Sequence, residues 1–372
     1  MSLESEVRSR KSEVRSRKSE VNTDIGMGNG ENKTSIRELG KYGLINHITS
    51  DFKSVNASTL VSIGDDASVI ETGNSLTLVT TDLMLEGIHF NLIYTPLKHL
   101  GYKAVIRGIS DIFAMNGIPS QLLISLGLSS RFTVEMIDEL YEGIYHACEK
   151  YNVDLAGGDT TSSLTGLTIG ITAIGSVEKH NLVKRGGAKP NDLICVTGDF
   201  GASFMGLQLL ERERKLFEKD KVTQPDLSGF EYLVGCQLKP EFPAETLKEL
   251  HEAGILPTSM IDVTEGLASD LLQICNSSNT GSRIYYSRIP LDYETSKLAE
   301  EFNIDPVTPA LNGGEDYELL FTIPLGDAQK VEQLNNIKII GHMTEEGTGN
   351  YIIGDDGSEV AISAQGWEQQ KK

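Results

Sequence analysis

No C-x-x-C pair occurs in the chain. Its four cysteines, Cys148, Cys195, Cys236 and Cys275, stand far apart, which argues against a zinc ribbon or a disulfide framework. No apolar run is long enough to span a bilayer, and no N-terminal segment resembles a signal peptide, so a cytoplasmic protein is expected. The G-x-x-x-x-G-K-[ST] pattern is missing, which excludes a P-loop NTPase. Gly198-Asp199-Phe200-Gly201 has the letters of a protein-kinase magnesium motif, but the H-R-D and V-A-I-K segments that accompany it are absent, and it reads as a strand-to-helix turn. There is no nucleophile elbow. Positive charge is scarce: 33 Lys and Arg face 53 Asp and Glu, a formal net charge of −20. The first twenty residues are net positive, so the remainder is more acidic still. Such a surface repels nucleic acid and anionic membranes, and anionic substrates would need cations to mediate. Simple solubility accounts for most of the exposed acids.

What is present is a recurring arrangement of acids beside small residues. A strand-like run, Leu60 to Ile63, ends in Gly64-Asp65-Asp66. Adjacent side chains on an extended backbone point to opposite faces, so a glycine turn is needed if both carboxylates are to serve one site. Similar groups recur at Thr80-Thr81-Asp82, Ser110-Asp111, Gly157-Gly158-Asp159, Asp262-Val263-Thr264-Glu265 and Gly313-Gly314-Glu315-Asp316. Each alone is an ordinary turn composition. Together they suit hard cations and phosphates.

The chain opens on a heptad, Ser5 to Lys11, repeated unchanged at Ser12 to Lys18. One apolar residue per heptad does not make a coiled-coil seam, and residues 1–33 read as a mobile tail. Ser35-Ile36-Arg37-Glu38 has capping-box spacing. Beyond it, strands are expected near 60–64, 75–81, 121–128, 153–156 and 167–177. Helices are expected from Pro96 to Asn116-Gly117 and over 133–151, where Ile137, Leu140, Tyr141, Ile144 and Cys148 share a stripe. Lys184 to Asp192 is a hinge by composition. The pattern restarts with a strand over 193–197, a helix over 201–210 and a charged surface excursion over 211–228. Helices follow near 229–238, 243–253, 266–277 and 327–335. Strands alternate with them near 258–263, 282–287, 317–323, 337–342, 350–353 and 359–363. This predicts an α+β protein of two mixed domains, 34–182 and 183–372, facing each other across a cleft.

Asp111 is the most informative residue. It lies among Ile109, Ile112 and Phe113, and an unpaired buried carboxylate needs a cation or donors. Asp66, Asp82 and Asp159 follow or end strands and are expected to converge on it. Oxygen ligands with Thr80 and Thr81 nearby favour Mg²⁺ over zinc. Gly157-Gly158-Asp159-Thr160-Thr161 offers backbone N–H groups to phosphate, with a plain turn as the alternative. Arg185 is placed to pair with a phosphate bidentately. His89 is the only histidine near the acidic motifs, and a lone histidine is more often structural.

Taken together, the motifs resemble the thiamine-monophosphate kinase family, within the superfamily named after aminoimidazole ribonucleotide synthetase. The matching stretches are SIGDDAS (62–68), TTDLMLEGIHF (80–90), YKAVIRGISDIFAMNG (102–117), AGGDTT (156–161), RGGAKPND (185–192), IDVTEGLASDL (261–271) and NGGEDYEL (312–319). They keep the family's order from about residue 35 onward. TTDLMLEGIHF and GGEDYEL point to this family rather than to the superfamily at large.

The resemblance implies transfer of the ATP γ-phosphoryl group to thiamine monophosphate. It implies that Asp66, Thr80, Thr81, Asp82, Asp111, Asp159, Asp262 and Glu265 bind several magnesium ions, with Asp111, Asp82 and Asp159 closest to catalysis. Gly158, Asp159, Arg185 and Thr264 would hold ATP, and His89, Glu315 and Trp367 the thiamine substrate. It also implies a homodimer whose N-terminal sheets form a barrel across the interface. The chain departs from the family's Asp-x-Ser-Asp-Gly-Leu at Thr264 and Glu265, and neither its tail nor the charged 211–228 stretch matches the family. The alternatives are another superfamily member, such as a purine-type synthetase, or a non-catalytic magnesium-nucleotide module. The cysteines expected of selenophosphate synthetase near the N-terminus and of the hydrogenase-maturation dehydratase at the C-terminus are absent.

Overall fold

The computed structural model describes residues 42–43, 45–47, 49–50, 56–73, 75–220 and 227–364. The expected tail, the Ser35 capping box and Trp367 lie outside these.

Two sheets and the helices packed on them form a mixed α/β fold. The first sheet has six strands: β1 (Thr59–Val61), β2 (Ser68–Glu71), β3 (Leu76–Leu85), β4 (Ile118–Leu128), β5 (Asp154–Ser162) and β6 (Thr168–Val177). Their order is β1-β2-β3-β6-β4-β5, antiparallel except for β4 with β5. Among the described residues this sheet is open, with β1 and β5 at its edges. The second has seven: β7 (Leu193–Thr197), β8 (Ser259–Val263), β9 (Gly281–Tyr285), β10 (Glu318–Ile323), β11 (Ile337–Thr344), β12 (Asn350–Ile353) and β13 (Glu359–Ala361). They run β13-β12-β9-β11-β7-β10-β8, with β12 and β9 parallel.

Helix α1 (Leu97–Ala114) is the central element. Thirteen of its 18 residues are buried, and a helix apolar on all sides belongs in a core. It packs against β3, β4 and β6, and it also touches β8 of the second sheet. Met115 follows it, and Asn116 reverses the chain at φ 58°. Helix α2 (Val134–Tyr151) starts on a Thr133 cap, whose hydroxyl accepts from the Met136 N–H. The two helices cross at glycines: a Cβ at Gly101 would lie 1.9 Å from the Leu140 carbonyl oxygen, and one at Gly143 1.8 Å from that of Lys98. One apolar cluster joins Ile109 and Ile112 of α1 to Met260 on β8 and to Leu319 and Phe321 on β10. The core therefore runs through both halves.

Several features differ from expectation: strand β2 is additional, and the helix expected near 327–335 spans only Ala328–Val331. Helix α3 (Ala202–Asp220) continues into the charged stretch expected to be a surface excursion over 211–228. Arg214 pairs with Glu211 and Glu218 at i,i+3 and i,i+4 spacing, which supports a helix without an apolar stripe. The 184–192 segment is not a loose hinge. The Lys184 carbonyl accepts from Met260 N–H, the Gly187 and Ala188 N–H groups donate to Ser278 Oγ, and Arg185 is drawn inward. Two helices, α7 (Tyr293–Glu301) and α8 (Val307–Asn312), occupy the unassigned stretch before β10. Between α3 and α7 lie α4 (Glu231–Leu238), α5 (Ala244–Glu252) and α6 (Leu267–Ser278).

Candidate active site

Gly64-Asp65-Asp66 is the turn between β1 and β2. Gly64 has φ 112°, a backbone region that favours glycine. The turn separates the two carboxylates by role. Asp65 Oδ1 accepts from the Asp66 and Arg185 N–H groups and fixes the loop. Asp66 is buried and faces inward, accepting from Arg185 Nε at 3.0 Å.

Three structural routes bring acids to Asp66. Helix α1 supplies Asp111, β8 supplies Asp262, and the ligand oxygens of Asp66, Asp111 and Asp262 lie within 4.8 Å of one another. Strand β3 adds Thr80, whose hydroxyl donates to Asp111 Oδ2, together with Thr81 and Asp82. Thr264, Glu265 and Arg185 line the same cavity, of about 730 Å³.

Electrostatics show what this closeness costs. Burial pushes the Asp111 carboxyl well above the usual range, and Asp262, Asp82 and Asp66 add to it; the Thr80 hydroxyl opposes them. Burial raises Asp66 to about 6 against the pull of Arg185. Burial, reinforced by Asp66, raises Asp262 to about 7. Among the described residues, Asp66 Oδ2 and Asp262 Oδ2 are buried without a hydrogen-bond partner. Buried acceptors of this kind are costly unless something fills their coordination. An all-oxygen donor set with orphaned carboxylate atoms fits a hard divalent cation such as Mg²⁺.

Helix α6 begins just beyond. Its N-cap is Gly266, without a side-chain bond. The cap comes from inside the helix, where Asp270 Oδ2 accepts from the Thr264 and Glu265 N–H groups, both at 3.1 Å. Glu265 is thus not the cap, and its residue lines the cavity wall.

A second group of charges adjoins the first. Lys103, Arg107 and Asp111 follow one another at i, i+4 and i+8 on α1. Lys103 donates to Glu315 Oε2 at 2.8 Å and to the Gln237 carbonyl at 2.9 Å. Arg107 Nε donates to Asp82 Oδ1 at 3.1 Å. Glu315 sits at φ 58°, and its N–H donates to the Thr264 carbonyl. Burial opposes its charge, but Lys103, Arg107 and His89 hold its carboxyl below the usual range. His89 lies within reach of this group's field: burial and Arg107 lower its pKa, while Glu315 opposes them. Its Nδ1 accepts from the Leu85 N–H at 3.0 Å, which leaves Nε2 protonated in the neutral ring.

The expected convergence of Asp159 on this cluster does not occur within one chain. Gly158 and Asp159 lie on edge strand β5 and line a separate hollow with Tyr141 and Ile124. Asp82 pairs with Ile171, Ile171 with Ile124, and Ile124 with Gly158. Three strand spacings amount to about 14 Å. The physical reason is sheet order: a motif after a strand does not reveal which edge that strand takes. Lys103, Arg107 and Asp270 have no expected site role from the sequence, and Tyr141 is expected only on the stripe of α2. Charged residues at four-residue spacing on an otherwise apolar helix were the available signal for the first two.

The mixed α/β fold of two sheets gathers an acid cluster with oxygen donors suited to a hard cation in one cavity. Residues 64–177 match the family model described as "AIR synthase related protein, N-terminal domain". Curated thiamine-monophosphate kinases are similar over nearly the whole chain. That of Bacillus subtilis is 33% identical, covering 90% of this chain and 100% of its own. That of Aquifex aeolicus is 31% identical, covering 90% and 99%. The chain belongs to the thiamine-monophosphate kinase family. The solved complex "AaThiL complexed with AMPPCP and TMP" is 30% identical and superposes with a TM-score of 0.76, covering 91% of this chain and 100% of its own. The Escherichia coli hydrogenase maturation protein HypE shares the fold alone, at 16% identity and a TM-score of 0.63, over 77% of this chain and 85% of its own.

Proposed function

We infer that the chain transfers the γ-phosphoryl group of ATP to thiamine monophosphate, giving thiamine diphosphate and ADP. The observation that carries this reading is the trio of buried Asp66 and Asp262 with half-buried Asp111, whose Asp66 and Asp262 Oδ2 atoms are without partners, in a cavity large enough for phosphates. Family membership identifies the substrates, since AaThiL was solved with AMPPCP and TMP.

The acceptor is a phosphate monoester, already anionic, so the transfer needs no general base. Among the described site residues, His89 is hydrogen-bonded to the Leu85 N–H and not to a carboxylate. The difficulty is bringing two polyanions together in line. Mg²⁺ ions, when bound, neutralise phosphate charge and stabilise the oxygens between which the phosphoryl group passes. Asp66, Thr80, Thr81, Asp82, Asp111, Asp262 and Glu265 would hold them. Arg185 and Thr264 bind the ATP phosphates. His89, Glu315 and Trp367 bind the thiamine side, where the Glu315 carboxylate faces the thiazolium cation and His89 offers its Nε2–H.

The protein works in the cytoplasm as a homodimer, its first sheets joined into a barrel. In support, β5 is exposed along nearly its whole length, and Leu60 and Leu83 are about half exposed. In such a dimer, Gly158 and Asp159 of one subunit, which line a hollow beside Tyr141, would bear on the nucleotide held by the other. Thiamine diphosphate formation from ATP and thiamine monophosphate tests the reading; binding of both without product would mean a non-catalytic module.

A further inference from the structure

We propose that Arg107 binds the phosphate of thiamine monophosphate and so aligns the acceptor for transfer; this rests on the reaction inferred above. Helix α1 presents its guanidinium to the cavity between the two sides of the reaction. Asp82, on the metal side, takes its Nε–H at 3.1 Å, and Glu315, on the thiamine side, has Oε1 3.6 Å from its Nη1. The acceptor phosphate has to lie between those two sides, because it joins the thiamine moiety to the incoming phosphoryl group.

The donor geometry supports this. A guanidinium carries five N–H donors in a planar fork. Among the described residues the Nε–H is bonded to Asp82 and Nη1 is ion-paired with Glu315 at 3.6 Å, which leaves the Nη2 N–H groups for a ligand. The side chain is 14% exposed and anchored at its base, so it loses little freedom on binding. Arg185, the other arginine lining the cavity, is engaged by Asp66 on the nucleotide side. Two arginines thus serve two anions. Arg107 also neutralises Asp82 and Glu315, which gives it a purely structural explanation that the test must separate.

The separation comes from comparing ligands with and without the phosphate. Affinities for thiamine monophosphate and for thiamine are measured by calorimetry with Mg²⁺ and a non-hydrolysable ATP analogue, in the unsubstituted protein, Arg107→Gln and Arg107→Lys. The proposal expects Arg107→Gln to weaken thiamine monophosphate about 10- to 100-fold, as for a lost charge-assisted hydrogen-bond pair, with thiamine changed less than about threefold. Arg107→Lys keeps the charge beside Asp82 and Glu315 but not the fork. It should fold as the unsubstituted protein does and recover only part of the affinity. Equal weakening of both ligands, or none, would overturn the assignment and leave Arg107 a structural counter-ion. If the unsubstituted protein forms no thiamine diphosphate in the same buffer, the functional reading fails, and this assignment with it.

Discussion

Replacing Asp262 by asparagine should make the metal-free protein more stable and the enzyme inactive. Asp262 is buried on β8, and its carboxyl is raised from 3.8 to about 7, first by burial and then by Asp66. The sign follows from proton binding. Below about pH 4 the group is protonated in both states and costs nothing. As pH rises, the unfolded chain releases its proton first, while the folded chain keeps it until about pH 7. Stability therefore falls across that window and is flat above it. At about 1.4 kcal/mol per pH unit, the loss reaches about 4 kcal/mol at pH 7 and above. Asparagine has the same shape and no such titration. For a chain of this size 4 kcal/mol corresponds to about 5 °C in Tm. The assay is thermal unfolding of both proteins near pH 4.5 and pH 8, with and without millimolar Mg²⁺. The metal-free variant should melt higher at pH 8 and nearly level with the unsubstituted protein at the lower pH. Mg²⁺ should raise the Tm of the unsubstituted protein at pH 8 and have little effect on the variant. A variant that melts lower at pH 8 without metal, or responds to Mg²⁺ as fully as its parent, would refute the reasoning.

Two further outcomes follow from the geometry. Because Asp270 and not Glu265 caps the turn before α6, Glu265→Asp should raise the Mg²⁺ concentration for half-maximal turnover by about tenfold, and superimposable Mg²⁺ titrations would remove Glu265 from the metal site. Gly101→Ala pushes a methyl group into the Leu140 carbonyl where α1 crosses α2, and it should destabilise the fold by about 1–3 kcal/mol in urea unfolding; an unchanged midpoint would mean that the helices separate freely.

Much of the site was legible because its chemistry is local. Gly64 adopts the positive φ expected of the turn, although only Asp66 faces inward while Asp65 fixes the loop. Asp111 stands out because it is the lone acid of α1 and lies among Ile109, Ile112 and Phe113, where a carboxylate needs a partner. Helix α2 follows its stripe to within a residue or two. What escaped notice depends on long-range placement or on charge compensation. Strand β2 is only four residues and offers too little periodicity. The charged half of α3 lacks an apolar stripe because its ion pairs lie along its own surface. Asp270 looks like an ordinary helix acid until backbone N–H groups converge on it. Asp159 carries the right motif on the far edge of the sheet, and strand order cannot be read from motif order.

The central claim is that this cavity joins ATP to thiamine monophosphate with the help of divalent cations. The most direct measurement incubates the purified protein with ATP, Mg²⁺ and thiamine monophosphate, and follows thiamine diphosphate and ADP by chromatography, with a parallel sample in chelator. The account predicts thiamine diphosphate and ADP in equal amounts with Mg²⁺ and neither in chelator. Loss of ATP without thiamine diphosphate, or transfer undiminished in chelator, would contradict it.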